Sequence, residues 1–221
     1  MIRSDVIYKA KSYIGYCGNP NQFTKWYCHD NKTHAWCGMF VKYIFKHDLK
    51  CDWLDSCSNF AYVPTIVSWA KKMGYWTTDC KKAKTGDLVI YNWKPEEKHF
   101  SHVGIVKQVN TSSIVSIEGN TTSGSKSNCV AEKTRNKKYV AGVVVLPYNY
   151  KYNLTRKLKK GCKGQDVMEL QIALGGIAID GDFGSKTKNR VLSYQKTKKI
   201  TADGVVAKQT AHKLGWLYQG K

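Results

Sequence analysis

Three short stretches decide the fold: AWCGMFV at residues 35–41, SHVGIV at 101–106 and IEGN at 117–120. The first places the thiol of Cys37 at the start of an apolar helix, and the second places an imidazole on a strand. The third places a carboxylate and an amide at the end of the next strand. A nucleophile, a base and an orienting group in this arrangement are what cysteine-dependent acyl transfer requires. The three stretches therefore predict one active site and its reaction type.

The apolar pattern predicts helices in the first part of the chain and strands after them. Helical spacing of apolar residues predicts helices over residues 4–14, 34–47 and 63–73. The period then changes, and strands are expected over residues 87–91, 102–107, 113–117 and 140–146. Helices followed by strands with short connections indicate an α+β domain built around an antiparallel sheet.

Cys37 and His102 form the predicted nucleophile and base. The first helical turn favours a thiolate at Cys37, because the helix dipole stabilises negative charge there. The alternative is that Cys37 is only a small core residue on the apolar face. His102 begins a strand of Val, Gly and Ile, an unusual place for a structural histidine, whereas His99 lies in a polar loop and is predicted to be exposed. We also expect the backbone N–H of Cys37 to form part of an oxyanion hole.

Glu118 and Asn120 are the candidates for orienting the imidazole. A carboxylate at Glu118 can accept the second imidazole N–H and fix the tautomer. Asn120 would point to the same side if the strand continues, and its amide can take the same role. The alternatives are an exposed carboxylate at the strand end for Glu118 and a turn-forming residue for Asn120. The sequence leaves open which of the two orients His102.

Composition and charge limit the partners. The chain has 221 residues, of which 42% are hydrophobic, so it can form a packed core. Its net charge is +20, and residues 151–221 carry the same +10 as the longer segment 1–150. Such an excess indicates an acidic partner: nucleic acid, an anionic membrane or an anionic polymer such as a bacterial wall. The alternative is that the lysines only keep the surface soluble.

The eight cysteines are expected to be free thiols. The N-terminus has no apolar segment of the signal-peptide type, which favours synthesis in a reducing compartment. No apolar run is long enough to cross a bilayer, so membrane insertion is not expected. The group Cys28, His29, His34 and Cys37 could in principle bind zinc, but its spacing matches no common zinc module.

A second, smaller domain is predicted after a basic, tyrosine-rich linker. DGDFGSKT at residues 180–187 aligns with DGVVAKQT at 203–210, and each is a glycine-containing turn that leads into a helix. The sequence therefore predicts a catalytic domain over residues 1–147, a linker over 148–157 and a three-helix module over 158–221.

The motifs of the first domain resemble the CHAP family, the cysteine- and histidine-dependent amidohydrolases and peptidases. AWCGMFV is followed in the family's order by three further stretches, which are GDLVI at 86–90, HVGIV at 102–106 and IEGNT at 117–121. The resemblance implies a papain-like fold with a helix that carries the nucleophile, Cys37, packed on an antiparallel sheet that carries the base, His102. It also implies that Glu118 and Asn120 are the supporting polar residues.

The resemblance also bears on metals. Some phage members of the family bind calcium through an Asp-rich loop before the cysteine. Residues 26–34 hold one carboxylate here, whereas calcium prefers several oxygen ligands. No metal and no cofactor are therefore expected.

Residues 158–221 resemble the three-helix peptidoglycan-binding domain. The matching positions are Leu158, Gly161, Gly164, Asp166, Val167, Leu170, Gln171, Leu174, the DGDFG turn, Thr187, Tyr194, Gln195, Asp203 and Gly204. The candidate substrate-binding residues lie near the two turns and are Asp180, Phe183, Thr187 and Asp203. Their alternative role is structural, as residues that form the turns.

Together the two resemblances imply a two-domain phage endolysin. The first domain would cleave an amide of peptidoglycan, either as an N-acetylmuramoyl-L-alanine amidase or as a stem or cross-bridge endopeptidase. The second would hold the enzyme on its polymer, with an anionic Gram-positive wall as the expected partner. Such an enzyme would remain in the host cytoplasm until lysis and then reach the wall. The alternatives are a non-catalytic wall-binding protein and a basic nucleic-acid-binding protein, and the latter leaves the ordered motifs unexplained.

Overall fold

The computed structural model describes residues 1–97, 99–148 and 151–220. Contacts divide the chain into two units, one of Met1 and Asp5–Pro147 and the other of Ile2–Ser4 and Tyr148–Lys221. The predicted linker over 148–157 includes residues 149 and 150, and the predicted second domain includes residue 221; these three residues lie outside the described residues.

Four α-helices precede the main sheet of the first unit: α1 (Arg3–Lys11), α2 (Gln22–Cys28), α3 (Cys37–Lys42) and α4 (Val63–Lys72). The predicted helix over 34–47 begins three residues later than expected, and after α3 it continues as a π-helical segment, Tyr43–Asp48. Helix α2 was not predicted from the sequence. It begins after Asn21, whose side chain caps the helix. Asn21 Oδ1 accepts hydrogen bonds from the backbone N–H groups of Phe23 and Thr24 at 2.9 and 3.0 Å.

The first unit contains a six-stranded antiparallel sheet with the strand order β1-β6-β2-β3-β4-β5. Its strands are β1 (Trp76–Thr77), β2 (Leu88–Tyr91), β3 (His102–Val109), β4 (Ser113–Ser123), β5 (Lys126–Asn136) and β6 (Val140–Val144). The predicted α+β class with an antiparallel sheet is therefore confirmed. Strands β1 and β5 were not predicted, and β4 runs on to Ser123, so Glu118 lies inside a strand and not at its end. The strand continues through Asn120, with an irregularity of the ladder between Glu118 and Thr121, so the alternative of a turn at Asn120 does not hold.

Helix α3 packs closely on the sheet because Gly119 has no side chain. A Cβ atom at Gly119 would lie 2.6 Å from Phe40 Cβ and 2.7 Å from Trp36 Cζ3, and both of these side chains are fully buried. Phe23 of α2 stacks on Trp36 with ring centroids 5.3 Å apart, and it meets Phe40 edge-on at 5.2 Å. This aromatic cluster holds the start of α3, and therefore Cys37, against the centre of the sheet.

One expectation about the cysteines is wrong, because Cys17 and Cys129 form a disulfide across 112 residues of sequence. The loop that carries Cys17 runs beside β5: the backbone N–H of Gly15 donates to Val130 O at 2.9 Å, and the N–H of Val130 donates to Tyr16 O at 2.8 Å. This pairing places the two side chains opposite each other. Spacing in the sequence could not reveal a pairing that depends on an unpredicted strand. The remaining cysteines are free thiols: Cys28, Cys37, Cys51, Cys57, Cys80 and Cys162.

The second unit consists of three helices and a short parallel strand pair. The helices are α5 (Gln165–Leu174), α6 (Ser185–Thr197) and α7 (Lys208–Lys213), and the strands are β7 (Asn153–Leu154) and β8 (Leu217–Tyr218). Its core is apolar and includes Leu154, Leu158, Val167, Leu170, Leu174, Phe183, Val191, Val206, Ala211 and Trp216. In the described part of the chain, no helix has the length and apolar content that a membrane span requires.

Candidate active site

The structure brings Cys37, His102 and Glu118 together in one chain of contacts. Cys37 is the first residue of α3, and His102 is the first residue of β3. The His102 imidazole lies close enough to the Cys37 thiol for each group to shift the pKa of the other, and its Nε2 lies 3.1 Å from Glu118 Oε2. Because Nε2 faces the carboxylate, Nδ1 is the nitrogen left for the sulfur. This is the order of nucleophile, base and orienting group that acyl transfer uses.

Glu118 reaches His102 because the neighbouring residue on β3 is a glycine. A Cβ atom at Gly104 would lie 3.0 Å from Glu118 Cγ and 3.2 Å from Ser116 Cβ. The glutamate side chain therefore lies across β3, fully buried. Ser116 Oγ donates to Glu118 Oε1 at 2.7 Å, and Tyr91 OH lies 2.8 Å from the same serine oxygen.

Arg135 on β5 contacts the same carboxylate, and the sequence analysis did not identify it. Its Nε donates to Glu118 Oε1 at 3.1 Å, and its Nη2 donates to Glu118 Oε2 at 2.7 Å. Arg135 stands 17 residues after Glu118 on a strand that was not predicted. The only sequence signal that could have found it is a lone arginine near the end of a polar, strand-like run.

The electrostatics of the three residues favour a charged pair. Burial by itself would raise the pKa of the Cys37 thiol, but the charge and hydrogen bond of His102 and the backbone N–H groups of Val103 and Gly38 outweigh it, so the pKa is lowered. Burial would lower the pKa of His102, yet Cys37 and Glu118 raise it to about 9. Burial opposes ionisation of Glu118 as well, but hydrogen bonds from His102 and Arg135 lower its pKa to about 2. A thiolate beside an imidazolium is the reactive form of such a site.

Among the described residues, Asn120 makes no hydrogen bond with His102. Its backbone has a left-handed conformation with φ of 57°, and it lies in the irregular part of β4 between Glu118 and Thr121. Within the described residues, the side chain that hydrogen-bonds His102 Nε2 is that of Glu118. The geometry therefore favours Glu118 as the residue that orients the imidazole, and the role of Asn120 stays a prediction, as does the oxyanion role of the Cys37 N–H.

The other histidines near the motif lie elsewhere. His99 is exposed, and His34 Nε2 lies 2.9 Å from Asp30 Oδ1. Over residues 1–97, 99–148 and 151–220, no group of three or more His, Cys, Asp or Glu is arranged to hold a metal ion. Cys28, His29, His34 and Cys37 thus do not form a zinc site in this structure.

The candidate substrate-binding residues of the second unit take part in two matching turn networks. Gln171 Nε2 donates to Asp180 Oδ1 at 2.7 Å and to Thr187 Oγ1 at 3.2 Å, while its Oε1 accepts from the N–H of Gly181 at 2.9 Å. Gln195 repeats this pattern with Asp203 Oδ1 at 2.9 Å, Thr210 Oγ1 at 3.0 Å and the N–H of Gly204 at 2.9 Å.

These networks change the expectation for the four residues. Phe183 is fully buried in the core, so its ring is not available to a ligand, and Thr187 is 3% exposed. Asp180 and Asp203 are exposed, but one oxygen of each already holds a turn. Asp180 and Thr187 also line a shallow groove of about 200 Å³ with Ile177, Ala178, Asp182, Gly184, Ser185 and Lys186.

The fold and site define an α+β protein with a cysteine–histidine–glutamate constellation between a helix and an antiparallel sheet, followed by a small helical domain. Residues 29–120 match the CHAP domain family, and residues 163–214 match the peptidoglycan binding domain family. The chain therefore combines a CHAP domain with a C-terminal peptidoglycan-binding domain. Cys37, His102 and Glu118 all lie inside the CHAP match.

Individual relatives are distant. The zinc D-Ala-D-Ala carboxypeptidase of Streptomyces albus G is 34% identical over 70 residues, which cover 28% of this chain and 28% of that protein. A periplasmic domain of the EpsAB fusion protein of the Vibrio vulnificus type II secretion system is 16% identical with a TM-score of 0.27, over 58% of this chain and 55% of that one. A peptidoglycan-binding protein from Clostridioides difficile, solved with glutamine hydroxamate, is 20% identical with a TM-score of 0.27, over 67% and 84%. At this TM-score neither structure bears on the fold.

The pKa of His102 provides a direct test of the charged pair. Because the folded value of about 9 lies above the ordinary 6.5, the interactions of protonated His102 should add stability that is complete below pH 6.5 and lost as the pH rises through about 9. We expect NMR titration of the imidazole carbons to show His102 protonated at pH 8, with His102→Gln to assign its signal. Cys37→Ala should lower the pKa of His102, because it removes the thiolate. A wild-type midpoint near 6.5 would contradict the pair.

Proposed function

We propose that the protein is a peptidoglycan hydrolase that cleaves an amide bond with Cys37 as nucleophile, His102 as base and acid, and Glu118 as the residue that orients His102. The observation that carries the proposal is the buried arrangement in which His102 lies between the Cys37 thiol and the Glu118 carboxylate, with its Nε2 3.1 Å from Glu118 Oε2. The peptidoglycan-binding domain at residues 163–214 supports the choice of substrate. Similarity to a D-Ala-D-Ala carboxypeptidase over 70 residues points to the same polymer.

The proposed reaction has two steps that share the same groups. The Cys37 thiolate attacks the amide carbon, and the His102 imidazolium gives its proton to the departing amine as the C–N bond breaks. This leaves a thioester on Cys37 and a neutral imidazole. A water molecule then attacks the thioester while His102 takes one of its protons, and the C–S bond breaks to regenerate the thiolate. The carboxylic acid that forms releases its remaining proton to solvent. Glu118 stays ionised throughout and holds the imidazole in position.

The wall is the proposed partner, and a bacteriophage endolysin is the proposed biological role. The net charge of +20 suits an anionic Gram-positive wall, and the pairing of a CHAP domain with a wall-binding domain suits a lytic enzyme. The protein would then stay in the host cytoplasm until lysis and act on the wall afterwards.

We expect cells that express it to remain intact until the membrane is permeabilised, as followed by culture turbidity. Wall damage in cells with an intact membrane would contradict this role.

Replacing the nucleophile should abolish activity. Cys37→Ala removes the thiol that forms the proposed thioester, so clearing of purified Gram-positive walls should fall by at least about 1,000-fold. Cys28→Ala serves as the matched control, because Cys28 is also a free thiol near α3 but has no imidazole partner among the described residues. A C37A variant that clears walls as fast as its parent would overturn the cysteine mechanism. A wild type that binds walls without clearing them would make the protein a non-catalytic binder.

The released fragments should identify the bond. Amide cleavage should produce new amino groups and no new reducing sugar ends, which mass spectrometry of the soluble muropeptides can measure. An N-acetylmuramoyl-L-alanine amidase would separate the whole stem peptide from the sugar, whereas an endopeptidase would leave part of the stem attached. New reducing ends in walls treated with the wild type, but not with C37A, would show a glycosidic cut and contradict the proposal.

A further inference from the structure

We propose that Arg135 is a positioning residue of this site: it holds the Glu118 carboxylate in the one orientation that keeps His102 aligned with Cys37. The inference rests on the proposed function of Cys37 and His102. It adds a residue on a strand that lies outside residues 29–120, where the CHAP family matches.

Arg135 fixes both the position and the plane of the carboxylate. Its Nε and Nη2 donate to the two different oxygens of Glu118, at 3.1 and 2.7 Å. His102 Nε2 also uses Oε2, at 3.1 Å. A rotation of the carboxylate that moves the acceptor away from His102 would therefore also break the two hydrogen bonds from Arg135. Lysine cannot replace such a two-point contact, because its ammonium is a single charge on a flexible stem.

Arg135 is itself held by an aromatic stack. Its Cζ lies 4.8 Å from the centroid of the Trp93 ring, and Trp93 stacks on Tyr91 at 5.1 Å with an angle of 11° between the ring planes. Tyr91 OH lies 2.8 Å from Ser116 Oγ, and Ser116 Oγ donates to Glu118 at 2.7 Å. The contacts thus form a closed cycle: Glu118 contacts Arg135, the arginine packs on the two aromatic rings, and the tyrosine hydroxyl connects back to Glu118 through Ser116.

The charges around Glu118 show what Arg135 contributes beyond alignment. Glu118 is fully buried, and the groups that face it are His102 from β3, Arg135 from β5, the hydroxyl of Tyr91 by way of Ser116, and Cys37 beyond His102. Without Arg135, the buried carboxylate would have one cationic partner and would bind a proton at higher pH. A protonated Glu118 no longer attracts the imidazolium, so the charged pair would be weakened.

A competing role for Arg135 is direct contact with substrate. Arg135 lines an open groove of about 370 Å³ with Trp93, Thr134, Asn136 and Tyr139. Trp93 is 38% exposed, and its ring lies 5.7 Å from that of His102, so the groove adjoins the site. The two roles differ in one measurable respect: positioning acts through Glu118, and substrate contact does not.

The test is a double-mutant cycle of Arg135→Met with Glu118→Gln in the full chain, with wall clearing and thermal unfolding measured for each protein. R135M alone should lower kcat on the order of 100-fold near neutral pH, because the base is misaligned. Adding R135M to E118Q should have little further effect, since the carboxylate that Arg135 holds is already gone. An effect of R135M that is equally large in the E118Q background, or that falls on KM, would overturn the inference in favour of substrate contact.

The pH profile supplies a second readout that a merely structural role would not move. R135M should show a new acid limb in its rate profile, from protonation of Glu118, whereas E118Q should show none. In 13C NMR the Glu118 carboxyl carbon should titrate at higher pH in R135M than in the wild type, a measurement that needs no substrate. Unchanged titration of Glu118 would overturn the inference, whereas a wild type that clears no walls would overturn the proposed function instead.

Two further variants keep the test decisive. R135M leaves the buried Glu118 carboxylate with one partner fewer. If this variant does not fold, Arg135→Lys replaces it in the cycle, and a lower kcat is again expected. Lys107→Met is the matched control: Lys107 Nζ pairs with Glu132 Oε2 at 2.6 Å between β3 and β5, at a partly exposed position. K107M should leave the rate and its pH profile unchanged. Equal losses in K107M and R135K would show that cross-strand pairing in general is responsible, and would overturn the inference.

Discussion

Glu118 has no exposed surface, and the way its negative charge is compensated explains much of the site. Transfer of a carboxylate from water into a protein interior costs several kcal/mol unless partners replace the lost hydration. Ser116, His102 and Arg135 supply those partners from three neighbouring strands. Cys37 and the ionised Glu118 together raise the pKa of His102, and the charge of His102 in turn supports the thiolate of Cys37. Burial of one carboxylate therefore links the stability of the sheet to the reactivity of the thiol.

Two glycines make this arrangement sterically possible. Gly104 leaves room for the Glu118 side chain to lie across β3, and Gly119 lets α3 approach the opposite side of β4. The helix that carries the nucleophile can therefore lie close to the strand that carries the orienting group, because glycine has no side chain that would separate them. In the sequence, these positions look like ordinary strand or turn glycines, and only the packing shows why a larger residue does not fit.

The residues of the site differ in how far the sequence could predict them. Cys37 and His102 stand in local patterns, a helix start and the start of an apolar strand, so their elements could be predicted from neighbouring residues alone. Strand β5 could not, because its polar second half has no alternating apolar pattern and its place depends on pairing with β4. Arg135 and the disulfide partner Cys129 both lie on that strand, so neither could be predicted. The prediction that Glu118 ends its strand was wrong for a related reason: an irregular ladder allows Gly119 and Asn120 to remain within β4.

The paired glutamine networks of the second unit have a consequence for how such modules tolerate insertions and deletions. Gln171 reaches an aspartate nine residues later, whereas Gln195 reaches its aspartate after eight, yet each amide bonds the aspartate carboxylate, the backbone N–H of the next glycine and the threonine hydroxyl. The glutamine carboxamide holds the turn against the helix by these hydrogen bonds. The segment between the glutamine and the aspartate need only be long enough to connect them. Selection on these modules should therefore preserve the glutamine, the Asp-Gly pair and the following threonine, while the length of the segment between them drifts.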